Sequence, residues 1–144
     1  MIKSMYPYFV FNGNGNEAVE FYKNALNAEV ISMQLFGDMP PNPEMPIPEE
    51  AKDRVLNAQL KVGDTDLMLS DTFPGMPYTI GTNVTTAIIL ENIEDTKKVF
   101  AALQEGGKVK MPLQETFWSP LYGQLEDKYG FEWQVSTEGK LTNG

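Results

Sequence analysis

The chain has 144 residues, 42% of them hydrophobic and 11% aromatic, which is enough for one domain with a proper core, and 20 acidic against 11 basic side chains give a net charge of -9. That charge repels phosphate backbones and anionic membrane surfaces, and no apolar run reaches the roughly 20 residues of a spanning helix or forms a signal peptide, so a soluble cytoplasmic protein binding neither nucleic acid nor membrane is expected. Neither histidine nor cysteine occurs, which excludes a His₃ zinc site, a Ser-His-Asp triad, a thiol nucleophile and a disulfide, and leaves chemistry to carboxylates, amides, hydroxyls, lysines or a borrowed cofactor.

Residues 6–11 form a short aromatic and aliphatic run suited to a strand, stopped by the turn signal Asn12-Gly13-Asn14-Gly15. A helix follows, because Ala18, Phe21, Tyr22 and Ala25 recur at i, i+3, i+4 and i+7, with Asn16 placed to cap its first turn. Strands are predicted at 29–37, 54–62 and 65–71, the last two joined by a hairpin at Gly63-Asp64. Between them, residues 37–53 hold Pro40, Pro41, Pro43, Pro46 and Pro48, which denies regular structure and predicts an extended surface loop, either a lid or a plain connector.

A linker over 71–83 leads to a second set of elements in the same order: a strand at 84–90, a helix over 94–105 ended by Gly106-Gly107, and strands at 108–113, 121–127 and 131–136. Ala18 and Thr96, Phe21 and Val99, and Tyr22 and Phe100 are each 78 positions apart, so the two helices superpose in register. The expected fold is α+β: one domain over residues 1–144, built from two βαβββ modules (5–73 and 83–138) that pair into a curved, half-open mixed β-sheet barrel with the helices outside.

Strand alternation sorts each strand into a helix-facing side and a free side. In 54–62 the apolar side is Leu56, Ala58, Leu60 and Val62, leaving Val55, Asn57, Gln59 and Lys61 opposite. The corresponding free residues elsewhere are Asp66, Met68 and Ser70, then Tyr122, Gln124 and Glu126, then Glu132 and Gln134, with Trp133 turned to the helix. Paired modules would gather Asn57, Gln59, Met68, Tyr122, Gln124 and Gln134 on one concave surface, with Phe9 and Phe11 as its floor and Trp118 beside Tyr122 to stack on a planar ligand. A polar face merely open to water would show the same alternation.

Three stretches carry a family resemblance: NGNGNEAVEFYKNAL (12–26), VLNAQLKVGDTDLMLSD (55–71) and FWSPLYGQLEDKYGFEWQVS (117–136). Together they resemble the PhnB-like branch of the vicinal oxygen chelate superfamily, which includes glyoxalase I, bleomycin-resistance proteins and extradiol dioxygenases. The resemblance implies a paired βαβββ fold and a homodimer. In metal-using relatives four His or Glu ligands come from the first and last strands of the modules; here those positions fall at Pro7 (or Tyr6), Met68, Thr85 and Gln134, which are poor donors for a hard cation, and Asn57 stands where the branch commonly has histidine. No metal and no cofactor is therefore expected. Of the carboxylates, Glu126, Glu132 and Asp66 share the free phase, as a candidate pair for a cation or acid-base work or as a solvated rim.

Two functions follow. One is a small-molecule-binding protein using Phe9, Phe11, Asn57, Gln59, Met68, Trp118, Tyr122, Gln124 and Gln134 without the usual metal site. The other is a metal-dependent lyase, isomerase or dioxygenase with a carboxylate-rich or shifted site, and the residues alone name neither a catalytic group nor a ligand.

Overall fold

In the computed structural model, which describes residues 1–139, the chain runs strand, helix and three strands twice over, and it divides into two compact units between Tyr78 and Thr79. The first unit holds β1 (Tyr8–Phe11), α1 (Gly15–Ala25), β2 (Glu29–Leu35), β3 (Val55–Val62) and β4 (Thr65–Asp71) in a sheet of order β1-β4-β3-β2. The second holds β5 (Thr86–Leu90), α2 (Ile93–Leu103), β6 (Lys108–Gln114), β7 (Tyr122–Glu126) and β8 (Glu132–Thr137) in the order β5-β8-β7-β6. In each, the first strand joins the last in parallel and the other pairs are antiparallel. Each unit is an open mixed sheet, and the fold is α+β as the element order predicts.

The helical stripes bury most of the residues their spacing selects, with Phe21 and Val99 half-buried at their edges. Ala18, Tyr22 and Ala25 of α1 and Thr96, Phe100 and Leu103 of α2 are all buried, each helix lying on one face of its own sheet. Both helices stop at a left-handed residue: Asn27 (φ 51°) follows α1, where the Ala28 N–H donates to the Lys23 carbonyl as in a Schellman motif, and Gly106 (φ 78°) follows α2. Gly63, at φ 57°, opens the two-residue hairpin turn between β3 and β4, with Asp64 beside it.

Two local expectations are corrected. Asn16 does not cap α1: the cap position is Asn14, whose side chain makes no capping bond, and Asn16 lies within the helix with its amide donating to the Asp53 carbonyl. The N–H of Gly15, the first residue of α1, goes instead to Asp71 at the end of β4, whose carboxylate accepts from Gly15 (3.0 Å), from Gly13 before the helix (2.7 Å) and from Val55 of β3 (2.7 Å). In β3, Val55 rather than Leu56 reaches the core, at 0% exposure. The ladder shifts there, Gln34 pairing with Asn57 and Leu35 with Val55, so Leu56 is an extra residue and the side-chain phase inverts before it.

The proline-rich segment is irregular between short 3₁₀ turns at Phe36–Asp38 and Glu49–Ala51. Its base is closed: the Phe36 and Gly37 N–H groups donate to the Arg54 and Lys52 carbonyls, Phe36 and Ala51 are buried, and the Phe36 ring packs 5.9 Å from Phe73.

Candidate functional site

In the second unit, the free face of β7 and β8 collects the residues that alternation assigns to it. Gln124 and Gln134 are direct cross-strand partners, while Gly123, Leu125, Trp133 and Val135 are buried on the helix side. Tyr122 joins the two amides: its hydroxyl donates to Gln134 Oε1 at 2.6 Å and accepts from Gln124 Nε2 at 3.0 Å. An amide nitrogen only donates and an amide oxygen only accepts, so the phenol takes the bond from Gln124 Nε2 and gives its single proton to Gln134 Oε1. The chain of bonds therefore has a direction and leaves the Gln134 amide hydrogens at one end and the Gln124 carbonyl oxygen at the other. Trp118 packs edge-on against the Tyr122 ring, 5.1 Å between centroids, and Phe117 packs on Trp118 at 4.8 Å.

The free face of the first unit is similar in plan and different in detail. Gln59 sits directly opposite Met68, and its amide donates to Asp66 Oδ2 at 2.7 Å rather than to a phenol. Asn57 Nδ2 lies 3.5 Å from the Tyr8 hydroxyl. Tyr8 is 47% exposed and stands beside Met68 in the parallel ladder, a site residue that the sequence reading passed over because its strand is apolar on both faces.

Phe9 and Phe11 are not on this face. They are 6% and 0% exposed and pack 5.8 and 6.2 Å from the Tyr22 ring of α1, so they belong to the core under the helix. Tyr8 and Val10 take the free side in their place.

Two of the four residues aligned with the family's metal ligands, Pro7 and Thr85, fall outside the strands. The Met68 N–H donates to the Pro7 carbonyl, which brings Tyr8 alongside Met68, and Ala87 pairs with Gln134. Pro7 and Thr85 bring a side chain without a donor and a neutral hydroxyl, Met68 and Gln134 a thioether and a neutral amide, and the residues paired with the last two, Tyr8 and Ala87, add a phenol and a methyl. This set offers a hard divalent cation no carboxylate or imidazole, and it does not fit the ion.

Glu126 and Glu132 are cross-strand partners farther along β7 and β8, but Lys110 Nζ is 3.2 Å from Glu132. Among the described residues, no group of three or more His, Cys, Asp or Glu side chains is placed to hold a metal ion. The glycine-rich turn before α1 offers no phosphate cradle either, since its two glycine amides are already taken by Asp71. No helix is long and apolar enough to cross a membrane among the described residues.

With this geometry in hand, the comparison with known proteins is decisive for the family. Residues 6–135 match the model of the Glyoxalase/Bleomycin resistance protein/Dioxygenase superfamily. The chain belongs to that superfamily. It is 30% identical to Protein YjdN of Escherichia coli (strain K12) over 139 residues, covering 90% of this chain and 92% of YjdN. Protein PA1353 from Pseudomonas aeruginosa has a similar crystal structure, with a TM-score of 0.84 and 35% identity over 95% of this chain and 98% of that one. A PhnB protein from Bacillus cereus shares the fold at a TM-score of 0.76 and 24% identity, covering 94% of this chain and 99% of its own.

Proposed function

We propose that this member of the superfamily binds a small, planar, uncharged organic ligand on the free sheet face carrying Trp118, Tyr122, Gln124 and Gln134, without the metal ion that its relatives use. The observation that carries the reading is the directed Gln124-Tyr122-Gln134 chain. A ligand with a carbonyl oxygen and an N–H, such as a carboxamide or lactam, can accept from the Gln134 amide and donate to the Gln124 carbonyl, while its ring lies against the aromatic side chains. Glu126 and Glu132 on the same strands, together with the net charge of -9, disfavour an anionic ligand.

A metal-dependent reaction receives less support, because the one carboxylate pair on this face is neutralised in part by Lys110 and has no third donor beside it among the described residues. The proposal extends to a cytoplasmic homodimer, supported by the absence of cysteine and the family resemblance.

Benzamide and benzoate are suitable probes, titrated against the protein and followed by calorimetry or NMR. Benzamide is expected to bind more tightly, with Tyr122→Phe weakening it roughly tenfold through loss of both hydrogen bonds that hold the two amides in orientation and Gln134→Leu abolishing it. Equal affinity for the two probes, or benzamide binding that survives Gln134→Leu, overturns the reading.

A further inference from the structure

The turn before α1 contains two Asn-Gly bonds in succession, Asn12-Gly13 and Asn14-Gly15. In an Asn-Gly pair the glycine nitrogen can attack the asparagine Cγ. A C–N bond forms, the bond from Cγ to the side-chain nitrogen breaks, ammonia leaves with the proton given up by the glycine amide, and a succinimide ring remains. Water then opens the ring at either carbonyl, giving aspartate or isoaspartate. Glycine favours the attack because it has no Cβ to obstruct the approach.

Here both glycine N–H groups donate to one carboxylate oxygen, Asp71 Oδ1, at 2.7 Å from Gly13 and 3.0 Å from Gly15. Removing either amide proton would put a second negative centre against a buried carboxylate, which Coulomb repulsion at that range opposes strongly. Asn12 has a second restraint: its Oδ1 accepts from the Thr72 hydroxyl at 2.7 Å, which holds the carboxamide away from free rotation. Asn14 makes no side-chain capping bond, so its carboxamide lacks the hold that Thr72 gives Asn12, while the Gly15 amide is still held by Asp71.

We infer that Asn12 and Asn14 are latent self-modification sites and that Asp71 is the group that keeps them unreacted in the folded chain. The same carboxylate that closes the start of α1 thereby sets the chemical lifetime of the turn.

The test follows deamidation and isoaspartate at Asn12 and Asn14 by peptide mass spectrometry during incubation in mildly alkaline buffer. Wild type is expected to react at both sites roughly tenfold or more slowly when folded than in urea, since reaction must wait for local opening. Asp71→Asn keeps the size of the side chain and removes its charge, and should speed both sites in protein that circular dichroism shows to be folded. Thr72→Val should speed Asn12 and leave Asn14 unchanged, an arm that stands even if the Asp71 variant fails to fold. Folded wild type reacting at the urea rate, folded Asp71→Asn as protected as wild type, or Thr72→Val without effect on Asn12 would each overturn the assignment.

Discussion

At the scale of single residues, two buried carboxylates organise this chain by each accepting three N–H groups. Asp71 takes three backbone N–H groups from the α1 turn and from β3, and Asp127 takes the N–H groups of Tyr129 and Phe131 together with the Trp133 indole at 2.8 Å. Asp71→Ala is expected to cost about 3 kcal/mol, because buried donors are left without acceptors; urea denaturation measures it, and a loss below about 1 kcal/mol would mean that the turn finds other partners. At this scale the sequence reading is weakest. Nothing local links Asp71 to Gly13, which lies 58 positions away, and Asn16 looks as good a cap as any residue in the turn.

Among elements, close approach of helix to strand depends on glycine in the second unit. A Cβ built on Gly123 of β7 would stand 2.7 Å from the Phe100 ring of α2 and 3.0 Å from the Met111 carbonyl of β6. Gly123→Ala should therefore destabilise the chain by about 2 kcal/mol through overpacking, read as a fall in the thermal midpoint. The double variant with Phe100→Leu should recover part of that loss if the ring is the obstacle. Strand faces were legible wherever polar and apolar residues alternate, as in Tyr122 to Glu126. They were not legible in β1, where Tyr8, Phe9, Val10 and Phe11 are apolar in both phases, and contact with Tyr22 is what selects Phe9 and Phe11 for the core. Nor was the phase of β3 legible, since an inserted residue at Leu56 leaves no mark in composition.

For the molecule as a whole, the prediction concerns metal. A protein holding a divalent ion at a hundred times its Kd would lose about 2.7 kcal/mol on chelation. Because Pro7, Met68, Thr85 and Gln134 and their neighbours Tyr8 and Ala87 offer no carboxylate or imidazole, dialysis against a chelator is expected to leave the thermal midpoint unchanged, and a fall that added manganese or zinc reverses would show that an ion is held by other groups.

The sequence by itself determined the twice-repeated order of elements, the helix stripes 78 positions apart, the Gly63-Asp64 hairpin and the grouping of Tyr122, Gln124 and Gln134 on one face, because all of these follow from local periodicity and turn chemistry. Only the tertiary structure decided which residue stands beside Met68 and Gln134, which side of β1 meets α1, and where the Gly13 and Gly15 amides at the start of α1 find their acceptor. Those depend on ladder register and on contacts between residues far apart in the chain, and neither is encoded in the spacing of neighbours.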